Sequence, residues 1–274
     1  MRIDAHQHFW QYDPQKHSWI EDHMAILRKD YLPADLWPLL QANDLDGTVA
    51  VQADQSAQET TFLLDLAAQN DFIKGVVGWI DLRADDLDSS LKQYEGYSVL
   101  KGFRHVVQDE PKGFMLDPKF IAGVSKLAGY DYSYDILIFH YQLEEAVAFV
   151  DQLPEMRLVI DHCAKPDILN LEFDNWYKHL AQLAQHKHVW IKVSGLVTEA
   201  DWNSWTPEQI KPYINAVIEL FGVDRVMFGS DWPVCTLAGA YDQIVSLVRE
   251  GLGYLSTEDL QKLFGKNATA FYHL

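Results

Sequence analysis

The sequence predicts an α/β protein built as a (β/α)8 barrel, in one domain spanning residues 1–274. Three observations point there. Eight short apolar runs recur along the chain, rich in Val, Ile and Leu and without strict polar alternation, as strands buried on both faces of a parallel sheet require. Segments of helical periodicity lie between them. No Pro-, Gly- or Ser-rich linker and no low-complexity tract divides the chain, and a length of 274 residues suits one barrel.

The eight runs are "RIDAHQH" from Arg2, "GTVAVQA" from Gly47, "KGVVGWI" from Lys74, "VLKGFRH" from Val99, "DILIFH" from Asp135, "RLVIDH" from Arg157, "VWIKVSG" from Val189 and "RVMFGSD" from Arg225. Of the intervening segments, "TFLLDLAAQ" from Thr61 places Phe62, Leu63, Leu66 and Ala67 on one face. "LEEAVAFVDQL" from Leu143 brings Val147, Phe149 and Val150 near one stripe. "TPEQIKPYINAVIELFG" from Thr206 opens with a Thr cap and Pro at the first helical position and stops at Gly222; Pro212 is a possible kink. A doubly wound open sheet is the alternative. It normally carries a glycine-rich phosphate turn after the first strand, and "AHQHFWQ" has none.

Composition narrows the class. Apolar residues make up 48% of the chain, enough for a large core. A formal charge of −18 repels nucleic acid and anionic membranes, so neither is expected as a partner. The two cysteines, Cys163 and Cys235, form neither a disulfide framework nor a CxxC pair. The opening "MRIDAHQHFW" lacks the apolar stretch of a signal peptide, and no run is long enough to span a bilayer. These features predict a reduced, cytoplasmic protein; they do not set its oligomeric state.

Barrel sites lie at the C-terminal ends of the strands. There the sequence puts His6 and His8, Gln52, Trp79, Arg104 and His105, His140, Asp161 and His162, Lys192 and Ser194, and Ser230 and Asp231. The remaining histidines, His17, His23, His179, His186, His188 and His273, fall in loop or helix patterns and read as solvated. Residues i and i+2 of a strand share a face, so His6 and His8 can both face the barrel axis. One HxH is a weak signal, because a rim histidine is commonly a hydrogen-bonded packing residue and a strand-end Asp commonly a helix cap. The joint pattern is stronger and suits a borderline ion such as zinc.

The motifs "DAHQHFW", "GTVAVQA", "GWIDL", "KGFRH", "DHCAKP", "KVSG" and "GSDWPV", in this order, resemble the amidohydrolase superfamily. More narrowly they resemble its lactone-hydrolysing branch of L-fuconolactonase-like and L-rhamnonolactonase-like enzymes. The resemblance runs from Ile3 to "KNATAFY" at Lys266 and implies the distorted barrel of that superfamily. It makes His6, His8, His162 and Asp231 the metal ligands, with His140 at a position that varies between ligand and substrate contact. Strand four ends in Arg104, which cannot bridge two cations, so one divalent ion is expected, zinc first and manganese second, with metal-independent activity left open.

What the resemblance implies chemically is water attack on the carbonyl of a small sugar-acid lactone. Asp231 is the expected base, with Arg104 and His162 stabilising the oxyanion. A rim salt bridge is the plain alternative for Arg104. Trp10, Gln52, Trp79, Arg104, His140 and Trp232 are the expected substrate contacts, Trp10 and Trp232 because they adjoin ligand segments. Gln55, Tyr141 and Trp202 also lie near the rim, and Glu199 reads equally as a substrate contact or a helix cap. Ser194 has no visible His–Asp relay and reads as structural or substrate-binding. Two other functions stay open: decarboxylation of an aromatic or unsaturated acid on the same barrel, and a non-catalytic ligand-binding barrel.

Overall fold

The computed structural model describes residues 1–274. Eight parallel strands follow one another in chain order: β1 (Ile3–Gln7), β2 (Gly47–Val51), β3 (Ile73–Gly78), β4 (Leu100–His105), β5 (Ser133–Ile136), β6 (Leu158–Ile160), β7 (Val189–Val193) and β8 (Val226–Phe228). Six lie within the apolar runs, trimmed at the ends; β3 begins one residue before its run, and β5 begins two residues before its run and ends at Ile136, so it shares only Asp135 and Ile136 with it. The helices between them are α1 (Pro33–Ala42), α2 (Ala57–Gln69), α3 (Leu87–Lys92), α4 (Pro118–Leu127), α5 (Leu143–Val150), α6 (Asp174–Leu183) and α7 (Pro207–Phe221). After β8 come α8 (Tyr241–Gly251), α9 (Thr257–Gln261) and α10 (Asn267–Tyr272). This is the (β/α)8 architecture, and no glycine-rich open-sheet crossing occurs.

Side-chain chemistry explains the layers. The strand positions that face the helices, such as Ala50, Val76, Phe103, Tyr134, Ile160, Ile191 and Phe228, join the large shell of core residues under the helices. The positions that face inwards, Ile3, Ala5, Val49, Val51, Val77, Val159 and Met227, form a separate inner cluster, which Ala268, Phe271 and Tyr272 of α10 close from below. The helices are set by local chemistry. Ser56 accepts the Glu59 N–H at the start of α2. Gln209 accepts the Thr206 N–H at the start of α7, and Gly222 ends that helix with φ +69°. α7 runs continuously through Pro212.

Two local features of β1 position everything above it. First, the β1–β2 register shifts between Asp4 and Gln7, which pair with Thr48 and Ala50, so one residue of β1 is extra. This bulge lets Ala5 and His6 both face inwards: Ala5 joins the inner cluster, and His6 meets Arg104 and Lys192. Second, Asp4 faces outwards and ties the seam between β1 and β8. Its carboxylate accepts the Ser230 N–H at 2.8 Å, the Ser230 hydroxyl at 2.6 Å and the Tyr241 hydroxyl at 2.8 Å. Burial raises its pKa to about 6 against the pull of those hydrogen bonds. Above it, the Asp231 N–H donates to the His6 carbonyl at 2.8 Å and the His8 N–H to the Trp232 carbonyl at 2.7 Å.

The expected consequence is that Asp4→Ala, which orphans four buried donors, the His6 N–H at 3.2 Å among them, lowers the free energy of unfolding in urea by about 2–4 kcal/mol. Denaturation midpoints of the variant and the parent chain measure it, and an unchanged midpoint would remove Asp4 from the seam.

Candidate metal and active site

At the C-terminal end of the barrel four electron-rich atoms converge. His6 Nε2 and His8 Nε2 are 3.2 Å apart. Asp231 Oδ1 lies 3.3 Å from His8 Nε2, 3.9 Å from His6 Nε2 and 3.8 Å from His162 Nε2. All four residues are nearly excluded from solvent. The chain must bend sharply to bring them together. Asp231 takes a left-handed conformation, φ +58°, directly after β8. Gly195, φ +61°, leaves the room: a β-carbon there would stand 2.6 Å from His162 Nδ1 and 3.2 Å from Asp231 Oδ2.

The ring protons follow from the partners of the other nitrogens. His8 Nδ1 lies 2.8 Å from the Val51 carbonyl, which only accepts, so His8 carries its proton there and presents a lone pair at Nε2. His6 Nδ1 lies 3.2 Å from Asp161 Oδ1. Lys192 Nζ stands 3.1 Å from that nitrogen, but its ammonium is engaged by Asp135 at 2.6 Å and Asp161 at 3.0 Å. Arg104 Nη1, a donor only, points at His6 Nε2 from 3.3 Å, which agrees with a lone pair on that atom. His162 Nδ1 pairs with the Ser194 hydroxyl at 2.9 Å, which both donates and accepts, so His162 can present either a lone pair or an N–H at Nε2.

Burial keeps the His6 and His162 rings neutral. Burial holds His6 and His162 well below the usual histidine value, against the attraction of Asp161 for the first and of Asp231 for the second. Burial would raise Asp231, but His162, His8 and Lys165 outweigh it and the carboxylate stays ionised. Two imidazole nitrogens and a carboxylate oxygen thus meet at one buried point. Ligand atoms about 2.0–2.1 Å from a tetrahedral zinc stand about 3.3–3.4 Å apart, close to the spacings of His8 with its two neighbours. The donor set fits one divalent cation. His6, His8 and Asp231 form one group whose ligand atoms all lie within 4.8 Å of one another; His6, Asp161 and His162 form another.

The other expected residues divide. Arg104 engages Asp161 Oδ2 at 3.2 Å and the Gln52 carbonyl, the rim salt bridge that was its plain alternative, with Nε left unpaired. Gln52 is fully buried and donates to the Arg104 carbonyl, and its Oε1 is unpaired. Trp79 is half-buried and its indole N–H has no partner. His140 lies beyond β5 in a short turn, half-buried, with Nδ1 3.0 Å from the Lys165 carbonyl. Tyr141 beside it is 64% exposed.

Trp10 and Trp232 need correction as substrate contacts. Trp10 donates to the Lys29 carbonyl and packs edge-on against Trp19 and Tyr31. Trp232 packs edge-on against Phe9 and Tyr31. Trp10 packs within the loop after β1, and Trp232 holds the loop after β8 against it. His17 is also corrected: it is buried, stacked on Tyr12 and tilted on Trp10. His105 turns away to Glu110, 2.8 Å distant.

Sequence reasoning missed the buried ionic layer beneath the ligands. Asp161 joins Arg104, Lys192 and His6; Lys192 joins Asp135, which also accepts from the Tyr272 hydroxyl at 2.9 Å. Burial would raise Asp161, yet Lys192, His6 and Arg104 hold it well below the usual carboxylate range. Burial raises Asp135 to about 6 despite Lys192. The available signal was a charged residue inside an otherwise apolar strand run, as with Lys192 in "VWIKVSG".

The fold and this site are those of a hydrolase barrel with residues able to hold a metal ion. The chain belongs to the amidohydrolase family, whose model matches residues 3–274. It is 42% identical to an L-fucono-1,5-lactonase of Burkholderia multivorans, covering 100% of this chain and 96% of the relative. It is 34% identical to an L-fucono-1,5-lactonase of Burkholderia ambifaria, again over 100% and 96% of the two chains. A crystal structure of an amidohydrolase from Burkholderia multivorans with bound zinc superposes with a TM-score of 0.96 at 42% identity, covering 100% of this chain and 99% of that one.

Gly195→Ala places a methyl group against His162 and Asp231 and forces φ +61° on an L-residue. It is expected to lower stability by about 1–3 kcal/mol and to cut catalytic efficiency at least tenfold in the fraction that stays folded. Thermal melts and steady-state kinetics on one preparation check both, and full activity would show that the close approach has no function.

Proposed function

We propose that the barrel formed by residues 1–274 hydrolyses a sugar-acid lactone, with L-fucono-1,5-lactone as the particular substrate and one divalent ion, zinc first, as its cofactor. The observation that carries this reading is the convergence of His6, His8 and Asp231 on one buried point beside His162. Full-length similarity to the two lactonases supports the substrate class.

His6, His8 and Asp231 would hold the ion, which when bound lowers the pKa of water and polarises a carbonyl. The remaining chemistry belongs to the chain. Asp231 is held below the usual carboxylate value, and its Oδ2 stands beside Gly195, so it takes the proton of the attacking water. His162, oriented by Ser194, presents Nε2 to the carbonyl oxygen and donates a hydrogen bond as negative charge develops. Collapse of the tetrahedral species breaks the ring C–O bond, and the proton held at Asp231 passes to the leaving oxygen. The products are the open-chain hydroxy acid and its released acid proton. Arg104 acts mainly through Asp161 and His6. Gln52 Oε1, the Trp79 N–H and His140 remain as polar contacts for the ring substituents.

A pH-indicator assay against a panel of aldonolactones, with and without added zinc or manganese, tests this reading. Acid release on L-fucono-1,5-lactone is expected, and Asp231→Asn is expected to lower kcat by about 10²–10⁴-fold in a folded chain. Silence of the zinc-loaded chain across the panel would overturn the lactonase reading and turn attention to decarboxylation, measured as CO2 release.

A further inference from the structure

The segment after β6 is the most strained part of the chain. His162, Cys163, Ala164 and Lys165 are four consecutive non-glycine residues with positive φ: 52°, 53°, 58° and 44°. Each left-handed L-residue costs about 1–2 kcal/mol, so such a run persists only where its surroundings enforce it. They do so here. The Lys165 N–H bonds the His162 carbonyl at 2.8 Å, Trp176 Nε1 donates to the Cys163 carbonyl at 2.7 Å, and the Cys163 thiol donates to the Lys192 carbonyl at 3.3 Å.

The turn delivers two side chains to one place. His162 faces Asp231, and Lys165 extends to Glu199 in the loop after β7. The Lys165 carbonyl accepts from His140, so the loops after β5, β6 and β7 are joined at this point. Lys165 Nζ stands 3.8 Å from Glu199 Oε1, with side-chain exposures of 18% and 17%. That gap is too long for a direct hydrogen bond. Glu199 thus holds a mostly buried carboxylate that accepts no hydrogen bond from the chain, beside an ammonium that has donors to give. A hydroxyl both donates and accepts; a carboxylate only accepts and an ammonium only donates.

We propose that Lys165 and Glu199 together read the ring hydroxyls of the substrate and so set which lactone the site accepts. The inference rests on the lactonase reading and names its specificity element. A secondary hydroxyl between the two groups donates to Glu199 and accepts from Lys165, replacing the long ion pair with two charge-assisted hydrogen bonds. A lactone lacking the hydroxyl leaves both charges unpaired in a nearly dry site and is rejected.

The test compares L-fucono-1,5-lactone with δ-valerolactone, which has the same ring size and no hydroxyl, in the zinc-loaded parent chain, Glu199→Gln and Lys165→Met. The readout is the ratio of kcat/KM for the two lactones within each preparation, which does not depend on the folded fraction. Where turnover of one lactone is too slow to follow, its competitive inhibition constant replaces kcat/KM. The ratio is expected to fall about 10–100-fold in both variants, chiefly through KM for the hydroxylated lactone. A ratio within about twofold of the parent, whether activity is kept or lost equally on both lactones, overturns the proposal. A parent chain inactive on both lactones would instead overturn the lactonase reading on which it rests.

Discussion

Everything at the mouth of this barrel depends on one buried carboxylate. Asp161, at the end of β6, contacts Arg104 of β4, Lys192 of β7 and His6 of β1, all at 3.0–3.2 Å and all out of solvent. Two cations offset two carboxylates in this layer, Asp161 and Asp135, so the layer is balanced without help from above. Breaking one partner of such a buried set costs about 3–5 kcal/mol, because the remaining charge has no water to turn to. The layer is therefore a rigid floor, and the ligands above it inherit its geometry.

The floor also orients the ring of His6. Asp161, 3.2 Å from His6 Nδ1, holds that ring with Nε2 turned to the point that His8 and Asp231 already face. The Val51 carbonyl does the same for His8. Asp231 then remains as the one carboxylate of the cluster with no internal cation bound directly to it. Two imidazoles with one carboxylate free of a direct internal cation form a donor set able to hold a divalent ion. The barrel wall and the chemistry are thus linked by single hydrogen bonds between neighbouring strands.

Much of this was legible in the sequence. The eight strands were visible because each is an apolar run bounded by polar rim residues, and strands buried on both faces have no alternation to confuse them. His6, His8, His162 and Asp231 were visible because they fall at strand ends. The bulge in β1 was not. The i, i+2 rule places Asp4 on the face of His6, yet the extra residue sends Asp4 outwards to Tyr241 and His6 inwards. No local pattern in "RIDAHQH" announces it; the register is decided by the neighbouring strand. The ionic floor was hidden for a similar reason. Asp135, Asp161 and Lys192 lie far apart in sequence, and each alone reads as a cap or a rim charge. Trp10 and Trp232 were misread because proximity in sequence to a ligand was taken as proximity to substrate, whereas Trp10 packs within the loop after β1 and Trp232 against that loop. Lys165 escaped notice because only the left-handed turn after β6 brings it to Glu199.

The central claim is that a single cation site is oriented from below by Asp161. Calorimetric titration of zinc into the metal-free chain and into Asp161→Asn tests it most directly. One ion per chain is predicted, with affinity falling about 10–100-fold in the variant, as expected when the partner that orients a ligand histidine is lost. Two ions per chain, or equal affinity in the two proteins, would contradict the account.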